Sequence, residues 1–163
     1  MTTQADNYQP SHPRHQWCRL MQALPSNEVI TVANQCGAAY QVEDLQLPES
    51  GLALLKTRDS AMGDDYFLGE IPVARAHVRL IHQGHVVAEG AAQLLNDQTN
   101  LARSMAILDA ILSQQLPGYQ AAAKLLDAGA VILKGESEKR RAMLSSTLVD
   151  FSLLGNEEDE HHA

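Results

Sequence analysis

The stretch LGEIPVARAHVRLIHQGHVVAEGAAQLL, Leu68 to Leu95, decides the fold. Successive side chains of a strand alternate between faces. Its middle therefore sets Val73, Arg75, His77, Arg79 and Ile81 on one side and Ala74, Ala76, Val78 and Leu80 on the other. An apolar face backed by a row of Arg, His and Arg is the pattern of a one-sided antiparallel sheet. HQGH, His82 to His85, is the predicted hairpin tip, with Gly84 free to take a positive φ.

Upstream of that stretch, AAYQVEDLQL, PES, GLALLKT and RDSAMGDD alternate strand-like runs with turn residues. Hairpin links need only a few residues, so the spacing predicts an antiparallel meander of about four strands, with PES as one of the turns. Further out, Trp17, Leu20, Met21 and Leu24 recur at helical spacing until Pro25 stops them. Ser26 or Asn27 is placed to cap a second helix carrying Val29, Ile30 and Ala33, with Gly37 as its left-handed end. Leu101, Met105, Leu108 and Leu112 form the stripe of a longer helix, widened by Ile107 and Ile111, for which Asn96 or Asp97 would be the cap. Pro117 and Gly118 end it, and helical pieces broken near Gly129 and Gly135 follow. The segment TLVDFSLL reads equally as a helix end or as a packed extended strand.

These elements predict an α+β fold, an antiparallel sheet packed with N-terminal and C-terminal helices. Residues 1–12 read as a flexible arm, 13–155 as one domain and 156–163 as an acidic disordered tail. At 163 residues a core of this size needs neither disulfides nor metal. Aromatic residues make up only 4% of the chain, so the core must come from Leu, Ala, Val and Ile. The net charge of -8, half of it from NEEDE at Asn156 to Glu160, argues against a general nucleic-acid binder, which needs a positive footprint. Cys18 and Cys36 match no paired metal or redox spacing. No apolar run is long enough to span a bilayer, and the N-terminal residues carry no signal-peptide core, so a soluble cytoplasmic chain is expected.

Chemistry-bearing patterns are sparse. Seven histidines are present, but four lie near the ends, two flank the hairpin tip, and no Cys, Asp or Glu stands at ligand spacing, so no metal is predicted. The chain has no G-x-S-x-G, no Walker loop and no dinucleotide fingerprint. What remains is the Arg75, His77, Arg79 row, whose two guanidiniums are expected about 7 Å apart on one strand face, near enough for both to engage one polyphosphate or two carboxylates. It suits three roles: an anion site, a docking surface for an acidic partner, or a solvated face whose arginines pair with Glu70 or Glu89.

RHQWCRLMQAL, ESGLALLKTR, a loop ending in Gly63, FLGEIPVARAHVRL, AILDAILSQQ and LVDFSLLG, in that order, resemble the G-subunit family, PhnG, of the bacterial carbon–phosphorus lyase core complex. The resemblance covers roughly Arg14 to Gly155, and its specific block runs from Gly69 and Glu70 through Arg75, Val78, Arg79 and Leu80. It implies a non-autonomous subunit that works with I-, H-, J- and L-type partners to transfer the ribose triphosphate moiety of ATP to a phosphonate, releasing adenine. ATP is then a substrate of the complex, and this chain has no cofactor and no catalytic set of its own. The site residues it implies, for an anion or a subunit interface, are Arg75, His77, Arg79, Glu70, Gly63 and Gly69. The chain departs from the family pattern where SAMG replaces a Gly-Gly-Thr-Gly loop, where NDQTNLAR replaces a charged stretch, and where LVDFSLLGN lacks two arginines. The class outside this reading is a stand-alone adaptor or anion-binding protein of the same fold. An obligate subunit should also expose apolar surface, expected on the C-terminal helices and LVDFSLL.

Overall fold

The computed structural model describes residues 11–146; TLVDFSLL and the acidic tail lie outside them. The elements run α1 (Arg14–Gln22), α2 (Ser26–Gly37), β1 (Gln41–Arg58), β2 (Asp65–His82), β3 (His85–Leu94), α3 (Thr99–Ser113) and α4 (Tyr119–Ser146). The three strands form one antiparallel sheet in the order β1-β2-β3. The α+β class and the antiparallel sheet are as the sequence implies.

The strand number is three because PES is not a turn. Pro48, Glu49 and Ser50 lie inside an 18-residue β1, which absorbs them with register shifts between Asp44 and Gln46 and between Gln46 and Glu49. Pro48 is tolerated there because β1 is an edge strand, where one side of the backbone needs no ladder donor. The HQGH tip is a two-residue turn with φ of 51° at Gln83 and 78° at Gly84, the paired positive values that match the strand twist.

Ala74, Ala76, Val78 and Leu80 are all buried, as are Ala88, Ala92 and Leu94 opposite them on β3. Helix α3 lies against this face and is buried nearly all round, because α1, α2 and α4 cover its far side. The approach of α3 to β3 is set by Gly90. A Cβ there would stand 2.2 Å from the Ala106 carbonyl oxygen.

Polar clamps register the layers. Asp109 of α3 is buried and accepts from Arg14 Nε at 2.9 Å, Arg14 Nη2 at 2.6 Å and the Ala91 backbone N–H at 3.1 Å, which ties α1 and β3 to α3. Arg103 Nε donates to Asp44 Oδ1 at 2.7 Å and fixes α3 against β1.

The helix ends differ from the sequence expectation. Neither α2 nor α3 has a side-chain cap. Pro25 occupies the cap position of α2, and Ser26 instead donates to Gln98 Oε1 at 2.9 Å. Asn96 Oδ1 accepts from the Gln98 N–H, shaping the entry to α3 from two residues ahead of its cap position. Gly37 is the last helical residue of α2, selected by contact rather than by φ, since a Cβ there would meet Ile107 Cγ2 at 3.3 Å. α4 is one unbroken 28-residue helix through both glycines. Gly129 is needed where α4 crosses α1, because a Cβ would stand 2.1 Å from the Leu20 carbonyl oxygen. No helix among the described residues is long and apolar enough to cross a membrane. Ser11 and His12 both bond to Asp127 of α4.

Candidate functional site

The Arg75, His77, Arg79 row lies on central β2, on the face away from α3. Residues directly opposite across an antiparallel pair share a face. Arg75 is opposite Glu49 and Gln93, His77 opposite Gln46 and Ala91, and Arg79 opposite Glu43 and Glu89. Arg75 Nε donates to Glu49 Oε1 at 2.5 Å, and its Nη2 reaches the same oxygen. Arg79 donates from Nε and Nη2 to Glu89 Oε1 at 2.9 and 2.8 Å, with Nη1 3.7 Å from Glu43 Oε2. His77 Nε2 stands 3.8 Å from Glu89 Oε2.

The row is therefore a charge ladder, two guanidiniums and one imidazole against three carboxylates. The hydrogen bond and charge of Arg75 hold the Glu49 carboxyl below its ordinary value. Arg75 and Arg79 are four residues apart, about 13 Å along the strand rather than the expected 7 Å, because His77 stands between them on the same face, so one small anion cannot bridge them directly. A cavity of about 400 Å³ opens beside Arg75, lined by Glu49, Gly51, Ala53, Val73 and Gln93.

Glu70, Gly63 and Gly69 are not brought to this row. Glu70 pairs with Leu54 in the register, and alternation turns it to the face opposite Arg75. Gly69 pairs with Leu55 beside a register shift, with φ of 155°. Gly63 sits in the β1–β2 turn, where its carbonyl oxygen accepts from Arg58 Nε at 2.7 Å. About six residues separate Gly69 from Arg75, roughly 20 Å of extended strand. The carboxylates Glu43 and Glu49, missed from the sequence, do the pairing expected of Glu70. No cluster of three or more His, Cys, Asp or Glu residues suited to a metal occurs among the described residues.

Among the described residues the largest uncovered feature is an arm. β3 pairs with β2 only from His82 back to Ala74, so from Gly51 to Val73 the sheet is a two-stranded ribbon. No residue from Glu49 to Val73 is buried. Leu52, Leu54 and Phe67 are 69%, 59% and 60% exposed. Val131, Met143 and Leu144 of α4 are exposed too, as expected of the C-terminal helices. The arm is the greater apolar surface, and its apolar runs LALL and YFL were the signal for it.

The family described as "Phosphonate metabolism protein PhnG" matches residues 12–155. The chain belongs to that family. Its place in phosphonate metabolism, read first from GEIPVARAHVRL and its neighbours, follows from that membership. A curated relative, the PhnG subunit of alpha-D-ribose 1-methylphosphonate 5-triphosphate synthase from Rhizobium meliloti (strain 1021), is 30% identical over 147 residues, covering 90% of each chain. PhnG membership extends over all four helices and the whole sheet, including the arm and the charge ladder.

Proposed function

We propose that this chain is a non-autonomous subunit of the carbon–phosphorus lyase system. It supports the step in which the C1′–N9 bond of ATP breaks, a phosphonate oxygen bonds to C1′, and adenine leaves. The observation that carries the reading is the match of residues 12–155 to the family, together with a subunit of that synthase as a relative across 90% of the chain. The fold agrees with it. A long two-stranded arm with apolar side chains on both faces is marginal in water by itself and suits a protein that functions in assembly.

In this role ATP belongs to the complex, the chain brings no cofactor, and its partners are the I-, H-, J- and L-type subunits in the cytoplasm. The Arg75, His77, Arg79 row with its three glutamates has the mixed polarity of an interface rim, where paired charges fix orientation and contribute little affinity. The self-pairing of both arginines disfavours the free-anion reading, because a phosphate group would have to displace Glu49 or Glu89. Purification of the chain from its native cell, with mass-spectrometric identification of what accompanies it, tests the proposal. The other phosphonate subunits should co-purify in stoichiometric amounts; a chain that emerges alone at physiological salt overturns it.

A further inference from the structure

The apolar side of the arm continues the core face of the sheet. Alternation runs without interruption along β2 from Leu80, Val78, Ala76 and Ala74 to Pro72 and Glu70. Leu52 and Leu54 of β1 stand opposite Pro72 and Glu70 on that side, and past the register shift Phe67 joins them opposite Lys56. Over the body of the sheet this face is covered by α3. Over the arm no described element buries it.

The other face is apolar as well, with Leu55 and Tyr66 39% and 48% exposed. With Leu68 and Met62 the arm carries seven exposed large apolar side chains over its two faces and its turn, and Leu52, Leu54 and Phe67 on the core side are among the most exposed of them. Charge restricts what can cover it. Between Gly51 and Val73 stand Asp59, Asp64, Asp65 and Glu70 against only Lys56 and Arg58. Lys56 is consumed by Asp65 at 2.7 Å, and Arg58 turns inward to the Gly63 carbonyl. Asp64 and Glu70 have no ion-pair partner among the described residues. A second copy laid on this arm would bring one acidic border against another, so self-association is disfavoured.

We propose that the core-side face of the β1–β2 arm is the docking site for another protein subunit of the synthase, which receives it in an apolar cleft bordered by lysine and arginine. This rests on the subunit reading above and names the surface through which it operates. An occupant of that chemistry supplies both what the arm lacks, cover for Leu52, Leu54 and Phe67, and positive partners for Asp64 and Glu70.

The test uses the full chain and the remaining synthase subunits, co-expressed without it. Leu54→Ser/Phe67→Ser is expected to bind that subassembly about a hundredfold more weakly, with the melting temperature of the isolated chain held within about 2 °C, since neither side chain is in the core. Asp64→Lys/Glu70→Lys should weaken binding about tenfold, more so at low salt. Val131→Ser/Met143→Ser on α4 should bind within about threefold of the parent. Arm variants that are folded and bind like the parent overturn the proposal. So does a parent chain that dimerises through the arm in sedimentation, because the occupant is then a second copy. If the unaltered chain fails to bind the subassembly at all, the subunit reading falls, and the docking site falls with it.

Discussion

Removing Asp109 should cost more than removing any other single charge among the described residues. The residue is 6% exposed and its carboxylate holds three donors from two other elements, Arg14 of α1 and the Ala91 N–H of β3. Asp109→Ala abolishes two charge-assisted hydrogen bonds and leaves the Ala91 N–H without its acceptor. Charged hydrogen bonds contribute about 1.5–3 kcal/mol, and an orphaned buried donor costs about 1–3 kcal/mol. Arg14 is itself 58% exposed and regains water when released, which removes much of the gross loss. About 3 kcal/mol of destabilisation remains, or a melting temperature lowered by roughly 6–12 °C in a domain of this size. Arg14→Ala should cost about 2–3 kcal/mol, because the buried carboxylate then keeps one donor. The double variant should be little worse than Asp109→Ala, giving a coupling of at least about 1 kcal/mol. Thermal and urea denaturation of the four proteins provide the cycle. An Asp109→Ala protein that melts within 1 °C of the parent, or fully additive single effects, would refute the clamp.

Two further outcomes follow from the sheet. Arg75 lowers the folded-state value of Glu49, so the pair's contribution is present above the unfolded carboxylate value of about 4.3 and is lost as pH falls through the lowered folded value. Carbon-detected NMR titration should place Glu49 below the ordinary range, and Arg75→Ala should return it there; an unchanged midpoint in the variant contradicts the pairing. Gly90→Val should lower stability by more than about 3 kcal/mol, since its first carbon alone would stand 2.2 Å from the Ala106 oxygen and the added methyls crowd α3 further. A Gly90→Val protein with parental melting would show that α3 does not lie where described.

Local periodicity made the body of the fold legible. The alternation from Val73 to Ile81 placed the core face and the charged face correctly, and the i, i+3, i+4 stripes located α1 and α3. Errors arose where a residue type has two uses. Pro48 and Ser50 carry turn chemistry, yet an edge strand with two register shifts accommodates them. Gly129 reads as a helix breaker, yet it serves the crossing with α1, a contact that only tertiary structure reveals. Of the partners of the arginine row, Glu89 is the one the sequence names, and Glu43 and Glu49 are the ones it does not. Counting back from the HQGH tip without the shift between Leu80 and Ile81 would put Ala88 opposite Arg79, whereas the shift brings Glu89 there. Glu49 meets Arg75 only after a long hairpin closes, a pairing that no local pattern encodes. The arm's lack of cover was equally invisible, because sequence gives the apolar face of a strand but not how far a helix extends over it.

The most direct test of the subunit account is adenine release from ATP and methylphosphonate. It is measured with the remaining synthase subunits alone, with this chain alone, and with all together. The account predicts background release in the first two mixtures and turnover only in the third. Full turnover by the partners without this chain, or substantial turnover by this chain alone, would contradict it.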